Sequence, residues 1–133
     1  MKMKDYKLKV KGYNYIISFY DNEEKLNFDK ANNYASLHSH GWEIPSPSKL
    51  EKIMDTVNSG FKACDSLYLK TPKNHKTITE LYSLMNGRAF WSDEKKDLNY
   101  AKCVVMNPRC SDTLVRLQPI NSNQYLLLIK RDR

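Results

Sequence analysis

Alternating apolar and polar residues mark two strands at the start of the chain. Tyr6, Leu8 and Val10 alternate with lysines, and a period of two is typical of a strand that has one face in water. A second alternating run follows Gly12 and extends to Phe19. This pattern predicts either a first hairpin or one long, bent strand.

Three segments in the middle of the chain repeat apolar residues at helical spacing. The first covers residues 27–38, where Asn27 is placed to cap the helix. The second covers residues 46–59, and Gly60 is expected to end it. The third is short and is expected to begin with a capping box that opens at Thr77.

Beyond the third helix the sequence favours strands. Aromatic, β-branched and long aliphatic residues are concentrated in four runs, which turn-forming residues separate: 90–92, 100–106, 113–117 and 125–129. Helices that come early and strands that come late indicate an α+β fold with a mostly antiparallel sheet. The length of 133 residues fits a single domain over residues 1–133.

The net charge of +7 is concentrated at the two ends of the chain. Residues 2–11 contain five lysines and one aspartate, a local charge of +4, and residues 130–133 add +2. A basic surface attracts polyanions such as nucleic acid, acidic glycans, an anionic membrane or an acidic protein face. Lysines near the termini also keep a small protein in solution, and the charge alone does not separate these roles.

The hydropathy pattern predicts neither a membrane span nor a signal peptide. No stretch approaches the roughly 18–20 consecutive apolar residues that a bilayer requires. The charged N-terminus is not followed by a continuous apolar core. We therefore expect a cytoplasmic protein, or a surface or secreted one if an export signal has been trimmed from this sequence.

The residues that usually carry chemistry are few and scattered. The three cysteines show no metal-ligand spacing: Cys64, Cys103 and Cys110. Whether Cys103 and Cys110 meet across a hairpin stays open. His38 and His40 suit a polar helix end better than a metal site, and Cys64 with His75 suggests a thiol–imidazole pair only by proximity in sequence. With four glycines and no phosphate-binding loop, no enzyme activity, cofactor or metal is predicted.

Several blocks of the sequence resemble one bacterial family. In chain order they are Phe28-Asp29-Lys30-Ala31, Gly41-Trp42-Glu43-Ile44-Pro45, Phe90-Trp91-Ser92-Asp93, Tyr100-Ala101-Lys102 and the closing strand Leu126 to Ile129. Over residues 26–131 this order is similar to the family typified by the C-terminal domain of the Legionella collagen-like adhesin. The sequence departs from that pattern at Glu43, where the family favours arginine, and at Lys49, where it favours glutamate.

The resemblance implies a C-type lectin-like fold with two main helices, a short third helix and paired terminal strands. Pairing of the termini would merge the two basic ends into one patch, formed by Lys7, Lys9, Lys11, Lys130 and Arg131. The resemblance also implies that a long loop, about residues 62–89, carries ligand contacts together with the turns near 93–97 and 107–112. The candidate contacts are Lys70, Lys73, Lys76, Arg88, Lys95 and Arg109. Trp42 and Trp91 are expected to pack in the core.

These observations favour a non-catalytic recognition module that binds a protein or an acidic polymer. The alternative is a small intracellular effector or mobile-element protein that binds nucleic acid or a nucleic-acid-handling complex, since basic charge and nine tyrosines also suit that role. A third possibility comes from the sulfatase-activating oxidases of the same fold class, which rely on cysteines. Only Cys103 and Cys110 could serve such an enzyme here. The oligomeric state and the identity of the ligand are left open by the sequence.

Overall fold

The computed structural model describes residues 5–20, 24–38, 41–64, 75–106 and 113–132. Within these residues the chain forms nine elements in the order β1 Asp5–Val10, β2 Tyr13–Phe19, α1 Phe28–Leu37, α2 Pro47–Cys64, α3 His75–Met85, β3 Ala89–Lys95, β4 Tyr100–Met106, β5 Thr113–Pro119 and β6 Leu127–Arg131. The α+β class is therefore confirmed. The strands are divided between two three-stranded antiparallel sheets rather than forming one sheet.

The first sheet has the strand order β1-β2-β6, so the expected direct pairing of the terminal strands is wrong. A two-residue turn explains the order. Lys11 has a φ of 50° and Gly12 a φ of 85°, and positive φ at both positions is typical of the turns that close a tight β-hairpin. The turn keeps β1 against β2, and β6 pairs with the other edge of β2.

The second sheet has the strand order β3-β4-β5. On the edge of β3 that is not paired with β4, the Trp91 backbone N–H donates a 3.0 Å hydrogen bond to the carbonyl oxygen of Tyr125. The segment that leads into β6 therefore joins the two sheets. β3 extends through Lys95. The first three residues of the turn predicted at 93–97 therefore belong to this strand.

Two clusters of buried side chains form the core. The larger one packs the inner face of the first sheet, including Tyr6, Leu8 and Ile17, against apolar residues of α2 and α3. The smaller one surrounds Trp91, whose exposed fraction is 0% and whose ring nitrogen donates a 2.6 Å hydrogen bond to the carbonyl oxygen of Leu26. The predicted core role of Trp91 is confirmed, while Trp42 is half-buried at the edge of the same cluster.

The helix boundaries confirm some predictions and correct others. Asn27 caps α1 through its side chain, which accepts a 2.9 Å bond from the Lys30 backbone. Gly60 does not end α2, which continues to Cys64. α3 begins at His75, so Thr77 lies inside its first turn and does not cap it.

Packing between α2 and α3 explains why α2 continues through Gly60. A Cβ atom at Gly60 would lie 3.0 Å from Cδ1 of Ile78. The glycine is therefore needed for close approach of the two helices rather than for a change of backbone direction. No helix in the described part of the chain is long and apolar enough to cross a membrane.

Candidate anion-binding surface

One row of side chains crosses the outer face of the first sheet. Lys7 on β1 is the register partner of Ile16 on β2, and Ile16 is the partner of Lys130 on β6. Since neighbouring strands are about 4.8 Å apart, the backbones at the two lysines are separated by roughly 10 Å. Lys9 lies two residues further along β1 on the same face. We call Lys7, Lys9 and Lys130 the lysine face.

Trp42 extends this row beyond β6. Glu43 and Ile129 exchange two backbone hydrogen bonds of 2.9 Å and form an antiparallel bridge. In the same antiparallel register, Trp42 lies opposite Lys130. The Lys130 ammonium lies 5.9 Å from the centroid of the Trp42 ring. A Cβ atom at Gly41, where φ is +95°, would lie 3.4 Å from Cε of Lys130, so the lysine stem passes close to the glycine backbone. Cation and ring thus form one half-exposed unit.

A run of four rings adjoins the lysine face. Ring centroids are 4.7 Å apart for Tyr20 and Tyr34, 5.4 Å for Tyr34 and His38, and 5.3 Å for His38 and Trp42. All four side chains are half-buried. Burial, and secondarily the nearby Tyr20, raises the pKa of Tyr34. The run therefore presents apolar ring surface beside positive charge.

The five predicted basic residues are divided between two faces and a turn. Lys7, Lys9 and Lys130 share the lysine face, but Arg131 points to the opposite face because successive strand residues alternate. Arg131 is the register partner of Tyr15, and its guanidinium lies 4.3 Å from the Tyr13 ring centroid. Lys11 occupies the hairpin turn. The expected single patch is therefore wrong in detail, although all five residues lie around the β1–β2 hairpin and β6.

A hollow of about 120 Å³ lies between the hairpin and the first turns of α2. Its walls are formed by Val10, Lys11, Tyr13, Tyr15, Lys49, Lys52 and Ile53. We call it the hairpin hollow. Lys49 is held at one side by Glu43, whose carboxylate oxygen lies 3.0 Å from the ammonium. The hollow thus combines an apolar floor with lysines, a combination that suits an acidic ligand carrying an apolar group.

Sequence reasoning missed Lys49 and Lys52 as parts of this surface. A signal was available, because the two lysines are three residues apart in a predicted helix and so share one face. Ile53 follows directly and belongs to the core stripe of the same helix. What the sequence did not show is that this edge of α2 faces the tyrosines of the hairpin.

Six residues of the long loop and the nearby turns were expected to contact the ligand. The structure describes three of them, and these three do not lie together. Lys70, Lys73 and Arg109 lie outside the described residues, and their role stays a prediction. Arg88 packs over the Tyr125 ring at 4.6 Å, and Lys95 is exposed at the far end of β3, about 20 Å from Arg88 by strand geometry. Lys76 is exposed in the first turn of α3.

The one cysteine whose side chain is described has no access to solvent. Cys103 is 0% exposed, and burial raises the pKa of its thiol to about 12. Its register partner on β5 is Arg116, so Cys103 does not face a cysteine across the described β4–β5 pairs, and Cys110 lies outside the described residues. Among the residues described, no group of three or more His, Cys, Asp and Glu side chains is placed to hold a metal ion.

Comparison with known proteins does not assign the chain to a family. A scan against protein-family models finds no match, and no curated protein shows significant similarity. The function therefore has to be inferred from the surface of the chain itself.

Proposed function

We propose that this chain is a non-catalytic recognition domain that binds an acidic protein surface or another acidic polymer around the β1–β2 hairpin. The observation that carries the proposal is the row formed by Lys7, Ile16, Lys130 and Trp42. In this row, lysines from the two ends of the chain lie on one face of the sheet, and the half-exposed ring of Trp42 lies beside Lys130. An extended acidic ligand would meet charge and apolar surface together along it.

The charges around the hairpin support an anionic ligand. Four further cations, Lys11, Lys49, Lys52 and Arg131, lie on the side of the hairpin opposite the lysine face. Lys49 is paired with Glu43, and Asp132 lies next to Arg131 in sequence. Cations still outnumber carboxylates around the hairpin. The hairpin hollow adds a place where an apolar side chain of the ligand can be buried while its neighbouring carboxylates meet lysines.

A C-type lectin-like fold is the finer architecture that we propose. Its support is the order of the sequence blocks together with their packing. Phe28, Ile44 and Trp91 come from three of these blocks and belong to one buried cluster. The rings of Phe28 and Trp91 meet edge to face at 5.4 Å. In this proposal the buried residues of the blocks are scaffold, and the ligand is bound by exposed and half-buried residues around the β1–β2 hairpin.

The absence of catalysis is also a proposal, supported by the state of Cys103. A buried thiol with a raised pKa is a poor nucleophile and a poor redox group. The exposed lysines and tyrosines around the hairpin instead suit binding.

Nucleic acid is the alternative ligand, and the run of four rings is the observation that favours it. Bases stack on aromatic side chains next to cations that hold the phosphates. Tyr34, His38 and Trp42 are all half-buried, however, and their edge-to-face or tilted contacts leave limited flat ring surface for stacking. We therefore place an acidic protein or polymer ahead of nucleic acid.

Charge reversal on the lysine face tests the proposed function. Binding of poly-aspartate and of a single-stranded oligothymidylate is measured for the unmodified chain and for the double variant Lys7→Glu/Lys130→Glu. The double variant Lys30→Glu/Lys96→Glu is the matched control, because it makes the same change in net charge at exposed lysines that are in neither set of candidate contacts. We expect the lysine-face variant to bind poly-aspartate at least 10-fold more weakly and the control to change by less than about threefold.

The outcomes separate the ligands and the sites. Equal losses in the two double variants would mean that only net charge matters and would contradict a site on the lysine face. Tighter binding of the oligothymidylate than of poly-aspartate, with a steep loss as salt rises, would favour the nucleic-acid alternative.

A further inference from the structure

β5 carries apolar side chains along an edge that pairs with no other strand in the described part of the chain. Val115 is 45% exposed and Leu117 is 42% exposed. Both point to the same face as Tyr100, which is the register partner of Pro119 and is 43% exposed. These residues form one apolar strip, which we call the β5 strip. A long, apolar edge is a ready template for pairing with another strand.

The hydrogen bonds identify which backbone groups of β5 face outward. The Ile120 nitrogen donates to the carbonyl oxygen of Asn99 at 2.9 Å, and the two residues continue the β4–β5 register. Bonded and non-bonded pairs alternate in an antiparallel ladder, so Leu114 and Arg116 bond to β4. The N–H and C=O groups of Thr113, Val115 and Leu117 therefore point to the free edge.

Pro119 limits this edge. It would be the next outward-facing residue, but proline has no N–H to donate. The free edge thus offers three complete donor and acceptor pairs, at alternating positions from Thr113 to Leu117. Two of these three residues also supply side chains of the β5 strip, so one partner strand could use both the backbone and the apolar surface.

We infer that β5 pairs antiparallel with β5 of a second copy of this chain, centred on Val115, to form a symmetric dimer. In this register each Val115 lies opposite Val115 of the second copy, and each Thr113 lies opposite Leu117. All three outward residues then form bonded pairs. The two β5 strips meet on one face of a continuous six-stranded sheet, because a twofold axis perpendicular to the sheet keeps the faces unchanged.

The placement of charge favours a second copy as the partner. Arg116 is the one charged residue of β5. With Val115 at the centre, Arg116 lies opposite Leu114 of the second copy and not opposite another arginine. Centring the pair on Leu117 instead would place Val115 opposite Pro119, which lacks the required donor. The strand is therefore self-complementary in one register.

The net charge of +7 sets the expected salt dependence of this dimer. Two copies repel each other at low ionic strength, and salt screens that repulsion. Association through β5 should therefore strengthen as salt is added. Binding of polyanions to the lysine face should weaken under the same conditions, so the two interactions are distinguishable in one protein.

Sedimentation velocity over a range of concentrations, at low and high salt, measures the proposed dimer. We expect the unmodified chain to form dimers more readily at high salt, and Val115→Arg to be monomeric, since it places two cations side by side. Leu98→Arg is the matched control, because Leu98 is 81% exposed and lies outside β5; it should still dimerise. Circular dichroism of both variants verifies that they are folded.

Cross-linking tests the register. In a Cys64→Ser/Cys110→Ser background, Leu114→Cys and Arg116→Cys are prepared separately, and these positions form a non-bonded pair with Cα atoms about 4.5 Å apart in the dimer. An equal mixture should form an intermolecular disulfide on mild oxidation, while each variant alone should form much less. A chain that stays monomeric at high concentration and salt, or a dimer that Val115→Arg leaves intact, would overturn the inference.

Discussion

Lys130 places its ammonium group 5.9 Å from the centroid of the Trp42 ring, on the same face of the sheet as Lys7. The second tryptophan, Trp91, is 0% exposed in the core. The chain therefore carries one tryptophan that reports on the proposed binding surface and one that is shielded from solvent. This difference makes fluorescence a direct probe of the lysine face.

We predict that iodide quenches Trp42 more efficiently than caesium does at equal ionic strength. A cation 5.9 Å away attracts an anion by about 0.7 kcal/mol in water, which is roughly a threefold enrichment before screening. Lys130→Gln should lower the iodide-to-caesium ratio about twofold. In the control Trp42→Phe only Trp91 emits, and neither ion should quench it strongly. Equal quenching by the two ions in the unmodified chain would contradict the described position of Lys130.

A second prediction concerns the contact between Gly60 and Ile78. In Gly60→Ala the new methyl group would lie 3.0 to 3.3 Å from three side-chain carbons of Ile78. Ile78 is buried and stiff at χ1, so it has little freedom to move. Overpacking costs about 1–3 kcal/mol, against a gain of about 1 kcal/mol from helix propensity. We expect Gly60→Ala to lower the free energy of unfolding by about 1 kcal/mol in urea denaturation.

The double-variant cycle with Ile78→Val checks the cause. Valine lacks the Cδ1 atom that makes the closest contact, so the alanine should cost less in that background. A stabilised Gly60→Ala single variant would show that the two helices adjust more easily than the described packing implies.

Local patterns predicted most of the fold, because each depends on neighbours in sequence. Alternation at residues 6–10 and 13–19 predicted extended structure there and left open a hairpin or one long, bent strand, and the structure shows the hairpin. Asn27 was correctly predicted to cap α1. Dependence on local sequence also explains why Gly60 was wrongly predicted to end α2. Glycine disfavours helices locally, but its role is decided by Ile78, which is 18 residues later in the chain and reaches it only through tertiary packing.

The candidate site was predictable in its charge but not in its geometry. The concentration of lysines at the two ends was visible in the sequence, and both ends do lie in one sheet. That β2 separates β1 from β6 depends on the Lys11–Gly12 turn. Strand alternation then places the neighbouring residues Lys130 and Arg131 on opposite faces of this sheet. The hairpin hollow was missed because Lys49 and Lys52 look like ordinary exposed helix residues until α2 is placed beside the hairpin.

A third prediction is that Cys103 does not react in the folded protein. Burial raises the pKa of its thiol to about 12, so at pH 8 only about one thiol in 10,000 is ionised, and that fraction has no access to reagent. In the Cys64→Ser/Cys110→Ser background, a disulfide reagent that releases a coloured thiolate should give no signal until urea unfolds the chain. Rapid labelling without urea would mean that the second core cluster opens, and it would revive a chemical role for this thiol.

The last prediction concerns Asp93, in the second half of β3, where the strand passes the residues that lead into α2. Its backbone nitrogen donates a 3.0 Å hydrogen bond to the carbonyl oxygen of Pro45. Partial burial is the main reason that the pKa of this carboxyl is raised, and the charges of Glu94 and Glu43 add to the effect, while Lys49 opposes it.

A raised pKa means that the folded state binds the Asp93 proton more tightly than the unfolded state does. Deprotonation, as the pH rises through the unfolded and then the folded pKa, therefore lowers stability. Asp93→Asn removes this penalty, so we expect a higher Tm than that of the unmodified chain at pH 7 and a smaller difference at pH 3. Asp55→Asn, on the exposed side of α2, is the control for losing one negative charge. A variant whose Tm is lower at pH 7, by a difference that shrinks at pH 3, would show that the ionised carboxylate is favourable in the folded state, contrary to the environment described.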